Sequence, residues 1–223
     1  MQIYDLSMPI EEGHLRWSVT RDKKGSFADG DLFEVSTLAT TCHGFTHIDA
    51  PRHMVPGGPT LSDLKLERVV GVASVIDLED IKPNEEIDAN RLQQAASHVE
   101  DGEIILFRSC WDQQRDWNTE AFWRDAPWLS ADACEWLLAR SPTAVAFDFP
   151  QDWTIRLLLD GEVRPIEEHV SHHILLRNNV TLIEYLRGVK QVTTPKTFLC
   201  ALPLNLPEAD GAPARVIAMD LMS

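Results

Sequence analysis

Short apolar segments separated by turn-forming residues are the first pattern along this chain. The segments are rich in β-branched and aromatic residues and are bounded by Gly, Pro, Asp or Asn, which is typical of strands. Six such segments predict six strands, at residues 32–40, 72–78, 103–109, 143–149, 197–204 and 215–221.

Three other segments carry apolar residues at helical spacing. The first, residues 88–102, begins with Asp88 as a predicted N-cap, and the second, residues 130–142, is ended by Pro142. The third is residues 167–179. Strands outnumber helices and do not alternate regularly with them, so the pattern predicts a mixed α/β fold with a β-rich core and leaves the topology open.

The length and charge of the chain restrict its class. The 223 residues contain no internal repeat or long linker and fit one domain, residues 1–223. The net charge of −15 would repel a nucleic-acid backbone, and no apolar run reaches the eighteen residues or so that a membrane span needs. We therefore expect neither nucleic acid nor membrane as a partner.

The first residues and the cysteines indicate the compartment. The N-terminal residues have no basic segment followed by an apolar one, so they do not predict a secretory signal. The four cysteines are scattered and form no CxxC pair, which predicts free thiols in a reducing environment. Both observations favour the cytoplasm.

The segment 41–58, TCHGFTHIDAPRHMVPGG, contains the densest candidate chemistry. His43, His47, Asp49 and His53 are all at odd positions, and side chains two residues apart in an extended backbone point to the same face. Two prolines in the segment disfavour helix at the residues before them. We therefore predict an extended passage whose imidazoles and carboxylate converge on a divalent ion such as Zn²⁺ or Mn²⁺.

A second, weaker cluster lies downstream. His172 and His173 lie in the third predicted helix, and Glu184 follows His172 by twelve residues. An apolar helix-to-strand transition between them would bring both side chains into one site. Taken alone, this cluster has a simpler interpretation, in which Glu184 is an exposed strand residue and His173 is a partly buried helix residue.

Together the two clusters resemble the cyclase family of metal-dependent hydrolases, which includes bacterial kynurenine formamidases. Its H-x-G-T-H-x-D-x-P-x-H motif matches residues 43–53, HGFTHIDAPRH, and its H-x-x-L-L motif with a later glutamate matches residues 172–176 and Glu184. Weaker likeness extends to MVPGG, to Asp148 in AVAFDFPQD and to the C-terminal ALPLNLPEADGAPARVIA. The chain departs from the motif at Phe45, where the family has glycine.

The resemblance implies a fold and a role for each matching residue. The fold would be a swivelling β/β/α domain with a β-barrel-like core, in an α/β protein that forms homodimers or homotetramers. The ligands of one or two Zn²⁺ or Mn²⁺ ions per chain would be His43, His47, Asp49, His172 and Glu184. His53 would be the catalytic acid and base.

The predicted function is hydrolysis of an amide, lactam or lactone bond in a small cyclic or N-acyl aromatic compound by a metal-activated water. The alternative is a non-catalytic metal- or small-ligand-binding protein of the same fold, which would not need His53. Polar surface histidines in a structural protein are a third interpretation. Trp17 and Phe45 are the candidate residues of the substrate pocket.

Overall fold

The computed structural model describes residues 2–220, which form twelve strands and four α-helices. The strands are β1 (Ile3–Asp5), β2 (Thr20–Gly25), β3 (Val35–Ala39), β4 (His47–Asp49), β5 (Val70–Asp77), β6 (Glu86–Ile87), β7 (Ile104–Arg108), β8 (Trp128–Leu129), β9 (Ala144–Ala146), β10 (Thr181–Glu184), β11 (Lys196–Pro203) and β12 (Gly211–Met219).

The α-helices are short and lie mainly between the central strands. They are α1 (Ala89–Ala95), α2 (Trp111–Gln114), α3 (Glu120–Arg124) and α4 (Ala131–Leu138). A π-helical turn covers His172–Leu176, and 3-10 turns cover Phe27–Asp29, Pro51–His53, Leu61–Asp63, Leu66–Arg68, Trp153–Asp160, Ile166–Glu168 and Val189–Gln191.

The central sheet closes on itself. Its strand order is β1-β12-β11-β5-β7-β9-β10-β4, and β4 also pairs with β12, which closes seven strands into a barrel. The pairs β5–β7, β7–β9 and β9–β10 are parallel and the others are antiparallel. The predicted mixed α/β fold with a β-barrel core is confirmed.

Two apolar cores lie on opposite faces of the barrel wall. Strand β7 shows the division, because Ile104 and Leu106 belong to the cluster inside the barrel while Ile105 and Phe107 belong to the cluster outside it. The inner cluster is mostly Ala, Val, Leu and Ile, and the outer one contains the aromatic side chains and the helices. The outer layer therefore offers the larger and more varied side chains around any site on that face.

The predicted helices form but are shorter than their sequence patterns. Asp88 caps α1 as expected, through its side chain and the Arg91 amide. The helix ends at Ala95 because the next residue leaves helical geometry and His98 turns back to the Val75 carbonyl, 2.9 Å away. The predicted helix 167–179 is reduced to the π-helical turn and its flanking residues.

The six predicted strands are all present, with shifted ends. The segment 32–40 contributes β3, which pairs with β2 in an exposed hairpin outside the barrel rather than in the core. Strand β12 begins earlier than expected, at Gly211, and Leu221 of the predicted strand 215–221 lies outside the described residues. Among residues 2–220, no helix is long and apolar enough to cross a membrane.

Candidate metal centre

Strands β4 and β10 place three of the predicted ligands side by side on the outer face of the barrel. In their antiparallel register, His47 lies opposite Glu184 and Asp49 lies opposite Leu182. Side chains opposite each other in such a pair share a face, as do residues two apart in one strand. The His47 Nε2 atom is therefore 3.0 Å from Asp49 Oδ1 and 3.6 Å from Glu184 Oε2.

The π-helical turn brings a fourth predicted ligand to the same point. His172 Nε2 lies 2.9 Å from Glu184 Oε1 and 3.4 Å from Asp49 Oδ2. Its Nδ1 atom lies 2.5 Å from Asp152 Oδ2, and Asp152 also accepts the Ser171 amide at 2.6 Å. Such a carboxylate partner fixes the orientation of a ligating imidazole and leaves the other nitrogen facing the ion.

His43 and His53 reach the cluster from the loops that flank β4. His43 Nδ1 is 2.7 Å from Asp49 Oδ1, and the rings of His43 and His53 stack at 3.8 Å. The prediction of one extended passage with a common parity is wrong for these two residues. His43 lies in a turn, and His53 ends the 3-10 turn Pro51–His53, so tertiary contacts rather than strand alternation bring them to Asp49.

The donor atoms form two groups that share Asp49. Atoms of His43, Asp49 and His53 lie within 4.8 Å of one another, and so do atoms of His47, Asp49 and Glu184. Asp49 Oδ2 is buried and has no hydrogen-bond partner among residues 2–220. A buried carboxylate oxygen without a donor, surrounded by imidazoles, fits a divalent ion with nitrogen and oxygen ligands.

The charges at the centre are strongly coupled. Burial acts to raise the pKa of Asp49, but the charge of His47 and the contacts with His172 and His43 hold it well below its ordinary value. Burial acts to lower the pKa of His172, but the charge of Glu184 and the hydrogen bond with Asp152 raise it well above its ordinary value. The carboxylates thus favour a positive charge on His172, a charge that a bound cation would replace.

The two loop histidines differ in basicity. Burial lowers the pKa of His53 to about 4, although the charges of Asp49 and Glu184 oppose the shift. Burial acts in the same direction on His43, but hydrogen bonds and charges of Asp49 and Asp210 raise its pKa to about 9. At neutral pH His53 is therefore uncharged, whereas His43 is protonated.

Three polar residues that the sequence did not single out complete the centre. Gln151 Nε2 donates to Glu184 Oε1, and Asp210 Oδ2 lies 3.0 Å from His43 Nε2, while Asp152 holds His172. Next to Asp210, a Cβ at Gly211 would come within 2.6 Å of the His43 ring. For Gln151 and Asp152, the signal available in the sequence was the polar pair QD, which comes shortly after the apolar strand segment AVAF.

A cavity of about 350 Å³ opens over the cluster. His43, His47, His53, His172 and Glu184 form its floor. The remaining lining residues are apolar or basic, with one tyrosine: Arg16, Met54, Ile155, Leu158, Val163, Arg164, Ile166, His169 and Tyr185. The space is large enough for a small ring system and is at the low end of typical ligand pockets, about 300–1,000 Å³.

Phe45 and Trp17 lie behind this cavity and do not line it. Phe45 is fully buried, and its ring packs against Trp17 at 4.8 Å and His14 at 5.3 Å. The proposed place of these two residues in the substrate pocket is therefore not supported by their positions. Their rings form part of the aromatic layer that backs the centre.

The backbone at Phe45 explains why glycine suits this position of the family motif. Its φ is 58°, in the left-handed region that favours glycine, and its carbonyl oxygen accepts a hydrogen bond from His47 Nδ1 at 2.9 Å. This bond directs His47 Nε2 towards Asp49. The preceding Gly44 is also constrained, because a Cβ there would lie 2.8 Å from Thr41.

Comparisons with known proteins agree with this geometry. The model of the family Cyclase, described as "Putative cyclase", matches residues 4–151. The chain is similar to a kynurenine formamidase of Bordetella petrii, with 28% identity over 235 residues that cover 99% of each chain. It is also similar to a kynurenine formamidase of Bacillus cereus, with 27% identity over 219 residues, 96% of this chain and 95% of the relative.

Solved structures give the same result for the fold. A potential metal-dependent hydrolase with cyclase activity superposes with a TM-score of 0.76 and 28% identity, over 100% of this chain and 99% of its own. An isatin hydrolase bound to the product analogue thioisatinate superposes with a TM-score of 0.79, over 97% of this chain and 91% of its own. The identity to that hydrolase is 21%, so the likeness concerns the fold alone.

Proposed function

The chain belongs to the cyclase family, and on that premise we propose that it is a metal-dependent hydrolase of amide C–N bonds in small cyclic or N-acyl aromatic compounds. The observation that carries this proposal is the convergence of His47, Asp49, His172 and Glu184 around a buried carboxylate oxygen that has no donor. Kynurenine formamidases among its relatives support the amide bond as the target.

These residues have the chemistry to hold the ion. His47, His172 and the two carboxylates would hold one divalent ion, and His43 would join Asp49 at a second position. When bound, such an ion lowers the pKa of water to about 7 and polarises a carbonyl oxygen. Zn²⁺ and Mn²⁺ both suit nitrogen and oxygen ligands, and we propose one or two ions per chain.

His53 is the proposed catalytic acid and base. Its ring lines the cavity and stacks on His43, and its low pKa keeps it neutral at physiological pH. A neutral imidazole nitrogen can take a proton from the attacking water and return it to the amine that leaves. This use of His53 favours an enzyme over a protein that only binds metal.

The substrate is expected to be small and flat. Met54, Ile155 and Leu158 line the cavity above the cluster, and apolar walls of this kind bind a ring while a few polar groups fix its orientation. N-formylkynurenine, isatin-type lactams and aryl lactones all present a carbonyl beside an aromatic ring.

The test is metal analysis followed by a substrate screen. Protein purified without chelator should contain Zn or Mn at one or two ions per chain, and the loaded protein should hydrolyse at least one of N-formylkynurenine, isatin or an aryl lactone. Metal without turnover on any of them would favour the binding protein. No metal at all would remove both the enzyme and the metal-binding alternative.

We also propose that the chain is one cytoplasmic domain that assembles as a homodimer or homotetramer. The β2–β3 hairpin supports assembly, because Leu32 is 91% exposed and Phe33 and Leu38 are more than half exposed. Apolar side chains in such a patch usually mark an interaction surface. Light scattering on the purified protein measures the assembly, and a monomer would contradict it.

All four cysteines are free thiols, which is consistent with the proposed cytoplasmic, reducing compartment.

A further inference from the structure

One wall of the cavity carries a positive charge that hydrolysis at the metal centre does not use. Arg16 lines the cavity and is partly buried, and its Nη1 donates to the Tyr185 hydroxyl at 3.3 Å. Within residues 2–220 its guanidinium has no carboxylate within 4.0 Å and no other side-chain hydrogen bond. The second arginine of the cavity, Arg164, is instead paired with Glu162 at 3.0 Å.

The guanidinium of Arg16 is held in a fixed orientation by aromatic rings. Its Cζ atom lies 4.5 Å from the centroid of the Trp123 ring and 5.6 Å from that of Trp17. Stacking on an aromatic face leaves the N–H groups at the edge of the guanidinium available as donors. The chain has a net charge of −15, yet this arginine has no acidic partner and lies beside a cavity of ligand size. Its guanidinium is therefore available to bind an anionic group of a ligand.

The position of Arg16 relative to the metal ligands indicates where that anion lies on the substrate. The ring of Tyr185 packs on His47 with centroids 5.5 Å apart, while its hydroxyl contacts Arg16. Tyr185 therefore contacts both groups, while within residues 2–220 the guanidinium makes no hydrogen bond with a predicted metal ligand. An anion bound at Arg16 is remote from the scissile carbonyl and is distinct from the acid that hydrolysis releases.

We propose that Arg16 determines specificity by binding a carboxylate on the substrate, remote from the scissile amide. The planar fork of a guanidinium matches the two oxygens of a carboxylate. The assignment rests on the proposed amide hydrolysis and narrows its substrates to aromatic amides that carry a carboxylate on a side chain. Arg16 would bind and orient the substrate without taking part in bond cleavage.

A matched pair of substrates tests the proposal. Metal-loaded enzyme is assayed with ortho-formamidobenzoyl propanoate and with its neutral analogue, ortho-formamidobenzoyl propanamide, and release of the aryl amine is followed by absorbance. Arg16→Gln should lower kcat/KM for the propanoate by about 10- to 100-fold, the typical contribution of charge-assisted hydrogen bonds, and change it less than about threefold for the propanamide. Arg16→Lys should recover part of the loss.

The control is Arg140→Gln. Arg140 also stacks on a tryptophan, with its Cζ atom 3.2 Å from the Trp136 ring centroid, but it lies outside the cavity. This variant should keep the preference of the wild-type enzyme. Equal losses of kcat/KM on both substrates in Arg16→Gln would show that Arg16 only supports the fold. No loss on either substrate would likewise overturn the proposal.

A binding measurement separates this proposal from the proposed function. If the wild-type enzyme cleaves neither substrate, the hydrolase assignment fails for this class, and calorimetry with the amine product ortho-aminobenzoyl propanoate decides about Arg16. The product should bind the wild-type protein more tightly than Arg16→Gln by a similar factor. Equal affinity for the two proteins would overturn the role of Arg16 even if amide hydrolysis is observed.

Discussion

Asp49 and Asp148 are both fully buried carboxylates near the ends of barrel strands, but their surroundings differ completely. Asp148 accepts hydrogen bonds from the Ser109 amide and hydroxyl, the latter at 2.8 Å, and from the Cys110 amide at 2.7 Å. Asp49 meets only imidazole side chains, and its Oδ2 atom has no donor among residues 2–220.

The difference separates a structural carboxylate from a functional one. A buried charge needs donors, and backbone amides supply them to Asp148 permanently because the loop after β7 is fixed beside it. Burial raises the pKa of Asp148 to about 7 although the hydrogen bonds from Ser109 and Cys110 oppose the rise. The partners of Asp49 are imidazoles, which bind a metal only in their neutral form, so the stabilisation of Asp49 depends on their protonation and on what the site contains.

The largest expected effect comes from the same substitution at both positions. Asp49→Asn should lose the metal and about 10⁴-fold in kcat/KM, because the ion contributes several kcal/mol to the stabilisation of the transition state. Asp148→Asn should keep the metal and lose about 1–3 kcal/mol of unfolding free energy, because an amide cannot accept all the hydrogen bonds made by the carboxylate. Metal analysis, kinetics and denaturant unfolding of both variants measure these effects.

The distinction between Asp49 and Asp148 would be wrong if the two variants exchanged their effects. A metal-free Asp148→Asn protein of normal stability would place Asp148 in the centre. A metal-loaded, active Asp49→Asn protein would remove Asp49 from it.

His53 provides the next largest effect and separates metal binding from catalysis. His53→Ala should keep the metal and lower kcat by about 10²- to 10⁴-fold, the usual contribution of a general acid–base. His98→Ala is the matched control, since within the described residues 2–220 the His98 side chain bonds only the Val75 carbonyl, and it lies outside the cavity. If His53→Ala loses the metal, His53 is a ligand beside Asp49 and His43, an arrangement that the distances also permit.

Variants of Glu184 and Asp152 distinguish a residue that contacts the ion from a residue that only orients a ligand. Asp152→Asn should weaken metal binding by about 10- to 100-fold, as is usual for a carboxylate that orients a ligating histidine. Glu184→Gln should weaken it further, because a charged ligand is lost. Competition with a chromophoric chelator gives both affinities, and unchanged metal content and activity in Glu184→Gln would exclude Glu184 from the centre.

The smallest effect is expected for Ser109→Ala, a variant that tests the structural role of Asp148. Ser109→Ala removes one hydroxyl donor from Asp148 while the backbone amides remain, so unfolding free energy should fall by only about 0.5–1.5 kcal/mol. Metal content and kinetics should stay unchanged. A loss of metal in this variant would show that the two carboxylates are not independent.

The sequence predicted the centre better than it predicted the geometry that builds it. The spacing of His47 and Asp49 was sufficient for those two residues, because strand alternation is a local property. The places of His43 and His53 depend on turns whose direction is set by contacts with β12 and with each other, so their parity had no predictive value.

Contacts distant in sequence were beyond the reach of spacing arguments. The pairing of Asp152 with His172 joins the loop after β9 to the π-helical turn, and no local pattern marks it. The same holds for β2, whose sequence TRDKKG has no apolar alternation and forms a strand only by pairing with β3. The apolar runs of the barrel strands were predictable because burial on both faces requires them.

Strand β4 has a consequence for how the fold is held shut. It is the last strand of the barrel and pairs with β10 on one side and β12 on the other. The predicted ligands Asp49 and Glu184 therefore lie on the neighbouring strands β4 and β10, beside the seam at which β4 meets β12 and closes the barrel. An ion held between them would join β4 to β10 and so help to keep β4 in the barrel, and metal occupancy and barrel closure would then be thermodynamically linked, each favouring the other.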